Sequence, residues 1–99
     1  MSGYEEYLQL DARLVILRGL TRQADGRLNE VLITRILDEF GYNRSREWVR
    51  TQMRKMEDVG AVRLSEAGTV LVATITRAGL DHAERRTILE GIARPSPEV

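Results

Sequence analysis

Residues 45–76 read SREWVRTQMRKMEDVGAVRLSEAGTVLVATIT, and one change of rhythm inside this stretch decides the architecture. Val49, Met53 and Met56 recur at steps of three and four, the spacing that lines one face of an α-helix. Ser45 stands before them as an N-cap, and Gly60 behind them as a stop. Beyond Gly60 the period falls to two. Ala61 to Glu66 alternates apolar and polar side chains, as a half-buried strand does. Ala67-Gly68 turns the chain, and Thr69 to Thr76 is apolar and β-branched. The stretch predicts a helix ending near Val59, followed at once by a β-hairpin.

Upstream, Asn29 is an N-cap candidate, with Leu28 and Ile33 at the two positions of a hydrophobic staple. Leu32, Ile33, Ile36, Leu37 and Phe40 share one face of a helix over about 30–40, which Gly41 ends. Tyr42-Asn43-Arg44 is then a tight connection between two helices. Further upstream, Tyr7, Leu10, Leu14 and Leu17 form the stripe of a first helix over about 4–18, closed by Gly19. Residues 26–29 can hold a very short strand. Downstream, Thr76 caps a fourth helix running through Leu80 and Ala83 to about Arg86. Residues 87–99 carry Gly91, Pro95 and Pro97 without a period and are expected to be a mobile C-terminal tail.

The order is α-β-α-α-β-β-α: mainly helical, with a small antiparallel hairpin. Two helices joined by a tight turn and followed by a hairpin define a winged helix-turn-helix. One such domain is expected over 1–86. Its core should gather Leu14, Leu17, Ile33, Ile36, Leu37, Val49, Met53 and Met56, closed on the sheet side by Val62, Leu64, Leu71 and Ile75.

Composition narrows the function. Ninety-nine residues hold one modest core, and the absence of cysteine removes disulfides, thiolate metal sites and thiol nucleophiles. A cysteine-free small domain with an acidic N-terminus and no long apolar run is expected to be cytoplasmic, away from membranes. His82 is the lone histidine, so neither a metal site nor acid–base catalysis is expected. No nucleophile–base pair or phosphate loop is apparent, and neither enzyme activity nor a cofactor is expected.

Net charge is zero, but its distribution is uneven. Between Arg44 and Lys55 lie five basic residues against one acid, so this window is four charges positive and the remainder four negative. Fourteen of the fifteen basic residues are arginine, which suits bidentate contact with phosphate or guanine; genome composition explains the bias equally well.

The phrase Glu57-Asp58-Val59-Gly60 closing the third helix, and Thr76-Arg77-Ala78-Gly79 opening the last, resemble those of bacterial winged-helix regulators. More narrowly, the chain is similar to small arsenic-repressor-like (ArsR-labelled) winged-helix proteins of Mu-like prophages, over roughly Gly26 to Arg86. The resemblance implies a DNA-binding transcriptional regulator whose third helix enters the major groove of double-stranded DNA. On helical geometry, Glu47, Thr51, Arg54 and Lys55 point away from the core, while Arg46, Arg50 and Arg54 form one stripe along a flank. The expected DNA-contacting set is Arg44, Ser45, Arg46, Arg50, Thr51, Arg54, Lys55 and, at the base of the wing, Arg63. The bland alternative is a solvated face in which Arg50 pairs with Glu47, and Arg54 with Glu57 or Asp58.

A homodimer is expected, because one short helix reads few bases. The first helix, with Tyr4 and Tyr7, and the fourth helix with the tail are its candidate surfaces. Trp48 is expected to pack at a boundary. The wing tip, Ser65 to Thr69, holds an acid and no base. Together with zero net charge, this motivates the alternative: a protein-interaction module on the same fold, in phage assembly or host interaction.

Overall fold

A computed structural model describes residues 3–96. Its elements are α1 (Gly3–Thr21), β1 (Arg27–Asn29), α2 (Glu30–Glu39), α3 (Arg46–Asp58), β2 (Val62–Ala67), β3 (Val70–Ile75) and α4 (Arg77–Ala83). The strands form one antiparallel sheet in the order β1-β3-β2. Val62 lies opposite Ile75 at the base of the hairpin, and Leu28 opposite Ala73 on the other side of β3. This is the expected winged-helix order, with β1 as a third strand.

The three expected caps all form. The side chains of Asn29, Ser45 and Thr76 accept the N–H groups of Leu32, Trp48 and Gly79 at 2.9–3.0 Å. The two helices of the helix-turn-helix also end alike. Tyr42 N–H reaches Leu37 O and Gly41 N–H reaches Asp38 O; Ala61 N–H reaches Met56 O and Gly60 N–H reaches Glu57 O. Each pair is a Schellman closure, and it needs a left-handed residue, supplied by Gly41 (φ 90°) and Gly60 (φ 86°). The exit from α3 into β2 is thereby set by backbone hydrogen bonds.

The Thr76–Gly79 phrase has a steric cause. The Thr76 hydroxyl lies 2.6 Å from Gly60 O and 3.0 Å from Ala61 O, fastening α4 to the exit of α3. A Cβ on Gly79 would fall 2.2 Å from Ala61 O, so only glycine lets α4 come this close.

Helix α1 is the centre of the molecule. Every residue from Ala12 to Leu17 is buried, with Gly19 and Leu20. The single expected stripe was too narrow, because α2, α3, α4 and the sheet surround this helix on several sides. Gly19 does not close α1, which runs on to Thr21. Its missing side chain makes room for Ile36 and Leu28, at 3.2 and 3.6 Å from where a Cβ would stand. On α2 only Glu30, Ile33 and Leu37 are buried; Leu32 and Phe40, assigned to the same apolar face by their spacing, are exposed. Ile36, Leu64 and Ile75 are half-buried at the margin of the core.

The tail expectation needs correction over residues 87–96. Helix α4 stops at Ala83 instead of Arg86, and Arg85 takes a left-handed turn at φ 65°. The chain then returns across α1 as a strap. Ile92 is buried in the core with 4% exposure, and Ala93 N–H bonds Leu10 O at 3.1 Å. His82 fixes the strap: its Nδ1 accepts Leu89 N–H at 2.9 Å, so its Nε2 carries the proton and donates to Ala93 O at 2.9 Å. Arg13, buried in α1, donates to Gly91 O, to Gln52 Oε1 of α3 and to Gln9 Oε1. A short apolar phrase without period hid this, since one buried isoleucine is enough to dock it. Residues 97–99 of the expected tail lie outside the described residues.

The strap and the α4 approach can each be tested by stability. Ile92→Ala should cost about 2–5 kcal/mol in chemical denaturation, the range for a fully packed core aliphatic. A free tail would show no loss. Gly79→Ala should cost about 1–3 kcal/mol, because the backbone at Ala61 must shift to admit the methyl group.

Candidate nucleic-acid interface

Helix α3 buries Val49, Gln52, Met53 and Met56 and turns its other sides to solvent. Thr51, Arg54 and Lys55 are exposed, as expected. Glu47, Arg50, Thr51 and Arg54 line one shallow, open and largely polar depression on the outer side of the helix. Lys55 faces elsewhere, over a cleft shared with Glu5, Glu6, Gln9 and Arg13 of α1 and with Gly91 of the strap. Ser45 is committed to its capping bond with Trp48 N–H. The Thr51 hydroxyl donates to Glu47 O at 3.1 Å, one turn back.

The arginines do not form the uniformly free stripe that the spacing suggests. Glu30, the first residue of α2, is 0% exposed. Its Oε2 accepts Leu71 N–H of β3 at 2.6 Å. Its Oε1 has no hydrogen-bond partner and lies 3.6 Å from both Arg46 Nη1 and Arg50 Nε. One carboxylate thus faces two guanidinium groups one helical turn apart. Arg46 keeps half of its side-chain surface in solvent and Arg50 about a third, so each still presents N–H donors outward.

Arg44 is occupied on the opposite flank. It pairs with Glu5 of α1 at 3.3 Å and lies 4.8 Å over the ring of Trp48. The Arg44 hydrogen bond holds the Glu5 carboxyl below the usual glutamate range. Trp48 is half-buried against the core of its own chain.

Neither of the local pairs weighed for α3, Glu47 with Arg50 or Arg54 with Glu57 or Asp58, forms among the described residues. Glu57 turns instead to the hairpin, where it accepts Leu64 N–H at 3.0 Å. That leaves Arg54 without a carboxylate among the described residues; Lys55 and Arg63 also meet none.

The sheet adds a residue that the sequence reading missed. Arg27 of β1 and Arg63 of β2 both lie opposite Thr74 of β3, so two exposed arginines flank one row across the sheet. Only the order β1-β3-β2 shows this. Glu30 was missed for a related reason: as a first-turn acid it looks like an ordinary helix-dipole partner, and burial sets it apart. Deeper in the turn, the Tyr42 hydroxyl donates to the Asp11 carboxylate. Burial first, and then this bond, push the Tyr42 phenol up to about 12.

No helix among the described residues is long and apolar enough to cross a membrane. Nor do three His, Asp or Glu side chains gather among them to hold a metal ion.

A tri-helical core with a helix-turn-helix, an adjoining hairpin wing and basic side chains on the outer side of α3 defines the molecule as a winged-helix protein. The chain belongs to the family of protein gp26 of Escherichia phage Mu, an uncharacterised phage protein. The two are 36% identical over 92 residues, which span 93% of this chain and 95% of gp26. An uncharacterised protein of Haemophilus influenzae (strain Rd) is 32% identical over 97 residues, spanning 97% of this chain and 94% of its own. No protein-family model matches the chain, and no solved structure matches it.

Tyr42 supplies a pH prediction. Its phenol is raised in the fold, so the stabilisation it gives is complete below the ordinary tyrosine value of about 10. That stabilisation should vanish as pH rises through about 12. Tyrosinate absorbance should show a late phase near pH 12 that Tyr42→Phe removes.

Proposed function

We propose that this protein is a DNA-binding winged-helix regulator of phage type that presents α3 to the major groove of duplex DNA as a homodimer. The observation that carries the reading is the depression on α3 lined by Arg50, Thr51 and Arg54, of which Thr51 and Arg54 are exposed and Arg50 is about one-third exposed. Arginine forks of this kind fit phosphate oxygens and the acceptor edge of guanine. Glu5, Glu30 and Glu47 offset three of the five cations between Arg44 and Lys55, leaving that window two net positive charges. Arg63 and Arg27 extend positive charge along the sheet.

So small a surplus fits a binder with modest affinity for arbitrary sequence, since phosphate neutralisation supplies most of that affinity. Two copies related by a two-fold axis would place their α3 helices about 34 Å apart on one face of the duplex. The arsenic-repressor-like resemblance belongs to this reading as architecture alone. A metal-sensing role does not follow from it, because both nitrogens of His82 are spent on Leu89 and Ala93.

A second reading, a protein-interaction module in phage assembly or host interaction, is favoured by aromatic exposure. Tyr4, Tyr7 and Phe40 are 74%, 63% and 56% exposed. Such rings are over-represented where proteins meet proteins.

Fluorescence anisotropy with duplex DNA at low and moderate salt separates the two. Arg50→Ala and Arg54→Ala should each weaken binding and flatten the salt slope by about 0.9 for every phosphate no longer neutralised. Affinity no better than that of a neutral control protein at low salt overturns the DNA reading.

A further inference from the structure

The geometry points to Glu30 as an internal substitute for phosphate: we infer that it restrains Arg46 and Arg50 and so holds down binding to polyanions of arbitrary sequence. The inference deepens the DNA reading above and rests on it for the identity of the natural polyanion.

Three observations converge on Glu30. Its side chain is fully buried, yet no lysine or arginine bonds it at hydrogen-bond distance. Two guanidinium groups sit 3.6 Å from a single oxygen, Oε1. The other oxygen is fixed by Leu71 N–H at 2.6 Å, so the carboxylate cannot swing away.

The carboxylate is sealed from water, while both guanidinium groups stay partly in solvent and stop 3.6 Å short of it. Each arginine is attracted without being saturated, and each keeps outward-facing donors. A phosphate approaching α3 must therefore draw the guanidinium groups against a fixed negative charge beneath them. A base edge asks for less displacement of charge, because guanine offers neutral acceptors that the outward N–H groups can already reach. The carboxylate thus weakens binding to any backbone more than it weakens contact with bases. It also orients both side chains from the α2 side, which makes Glu30 a positioning residue.

Heparin chromatography supplies a polyanion probe independent of DNA, and a random-sequence duplex supplies the DNA probe. Glu30→Gln keeps an acceptor for Leu71 N–H and removes the charge. Glu39→Gln, exposed on α2, is the charge-matched control. Glu30→Gln should leave heparin at clearly higher salt than wild type and than Glu39→Gln. Its affinity for the random duplex should rise about tenfold at low salt, with a salt slope steeper by about one. In an Arg46→Gln background the gain should shrink.

Equal elution shifts for Glu30→Gln and Glu39→Gln overturn the inference, since charge alone would then suffice. A gain unchanged by Arg46→Gln overturns it too. Should Glu30→Gln fail to melt cooperatively, single substitutions of the arginines still decide. A restrained Arg46 predicts that Arg46→Gln lowers the heparin elution salt less than Arg54→Gln does, and equal losses overturn the restraint. Heparin results as expected with no duplex binding by any variant would leave the restraint standing and remove the DNA reading alone.

Discussion

One buried carboxylate fixes the relation between α2, α3 and the wing. Glu30 opens α2, accepts a backbone N–H from β3 and faces two arginines of α3. Sealing a charge away from water is costly unless opposite charge and hydrogen bonds surround it. The chain meets that demand by bringing β3 and α3 to the same point. The wing and α3 cannot drift apart without leaving an ion stranded in the interior. The Schellman closure after α3 and the Thr76 hydroxyl on Gly60 and Ala61 secure the same corner from the other side. Helix, hairpin and α4 thus behave as one rigid corner, and the basic side chains ride on it.

The remaining architecture depends on α1. A helix buried over six consecutive residues needs partners all round it, and the strap through Ile92 supplies the last of them. Arg13 and His82 make the strap specific. Both are polar and buried, and both satisfy backbone groups of the chain's final segment instead of serving chemistry. Without that segment the imidazole would lose both its partners and the guanidinium one of its three while still inside the protein, which is why the fold extends to at least residue 93.

Elements and caps were legible in the sequence because their causes are local. Asn29, Ser45 and Thr76 cap because each directly precedes the helix whose first turn it serves, and the period change at Gly60 needs no tertiary information. Helical spacing marks a broad apolar face on α2 that includes Leu32 and Phe40, but of its apolar residues only Ile33 and Leu37 are buried. Gly19 looked like a stop, but it is a packing glycine beneath Ile36. The site was less legible. Arg50, Thr51 and Arg54 do stand together, as one helix face dictates. The partners of Arg44, Arg46 and Arg50 lie on other helices, α1 and α2, and no spacing rule on α3 could name Glu5 or Glu30.

The Glu57 bond to Leu64 has a consequence for the behaviour of the molecule in concentrated solution. Strand β2 pairs with β3 on one side only, so its other margin is open. An open margin offers backbone donors to any extended segment of a neighbouring molecule, the first step toward intermolecular sheet growth. Glu57 occupies one of those donors with a charged oxygen, and Arg63 and Glu66 stand exposed nearby. An intruding strand would have to displace a carboxylate and bury charge to register with β2. The helix whose outer face carries the arginines therefore also guards the hairpin against runaway self-association.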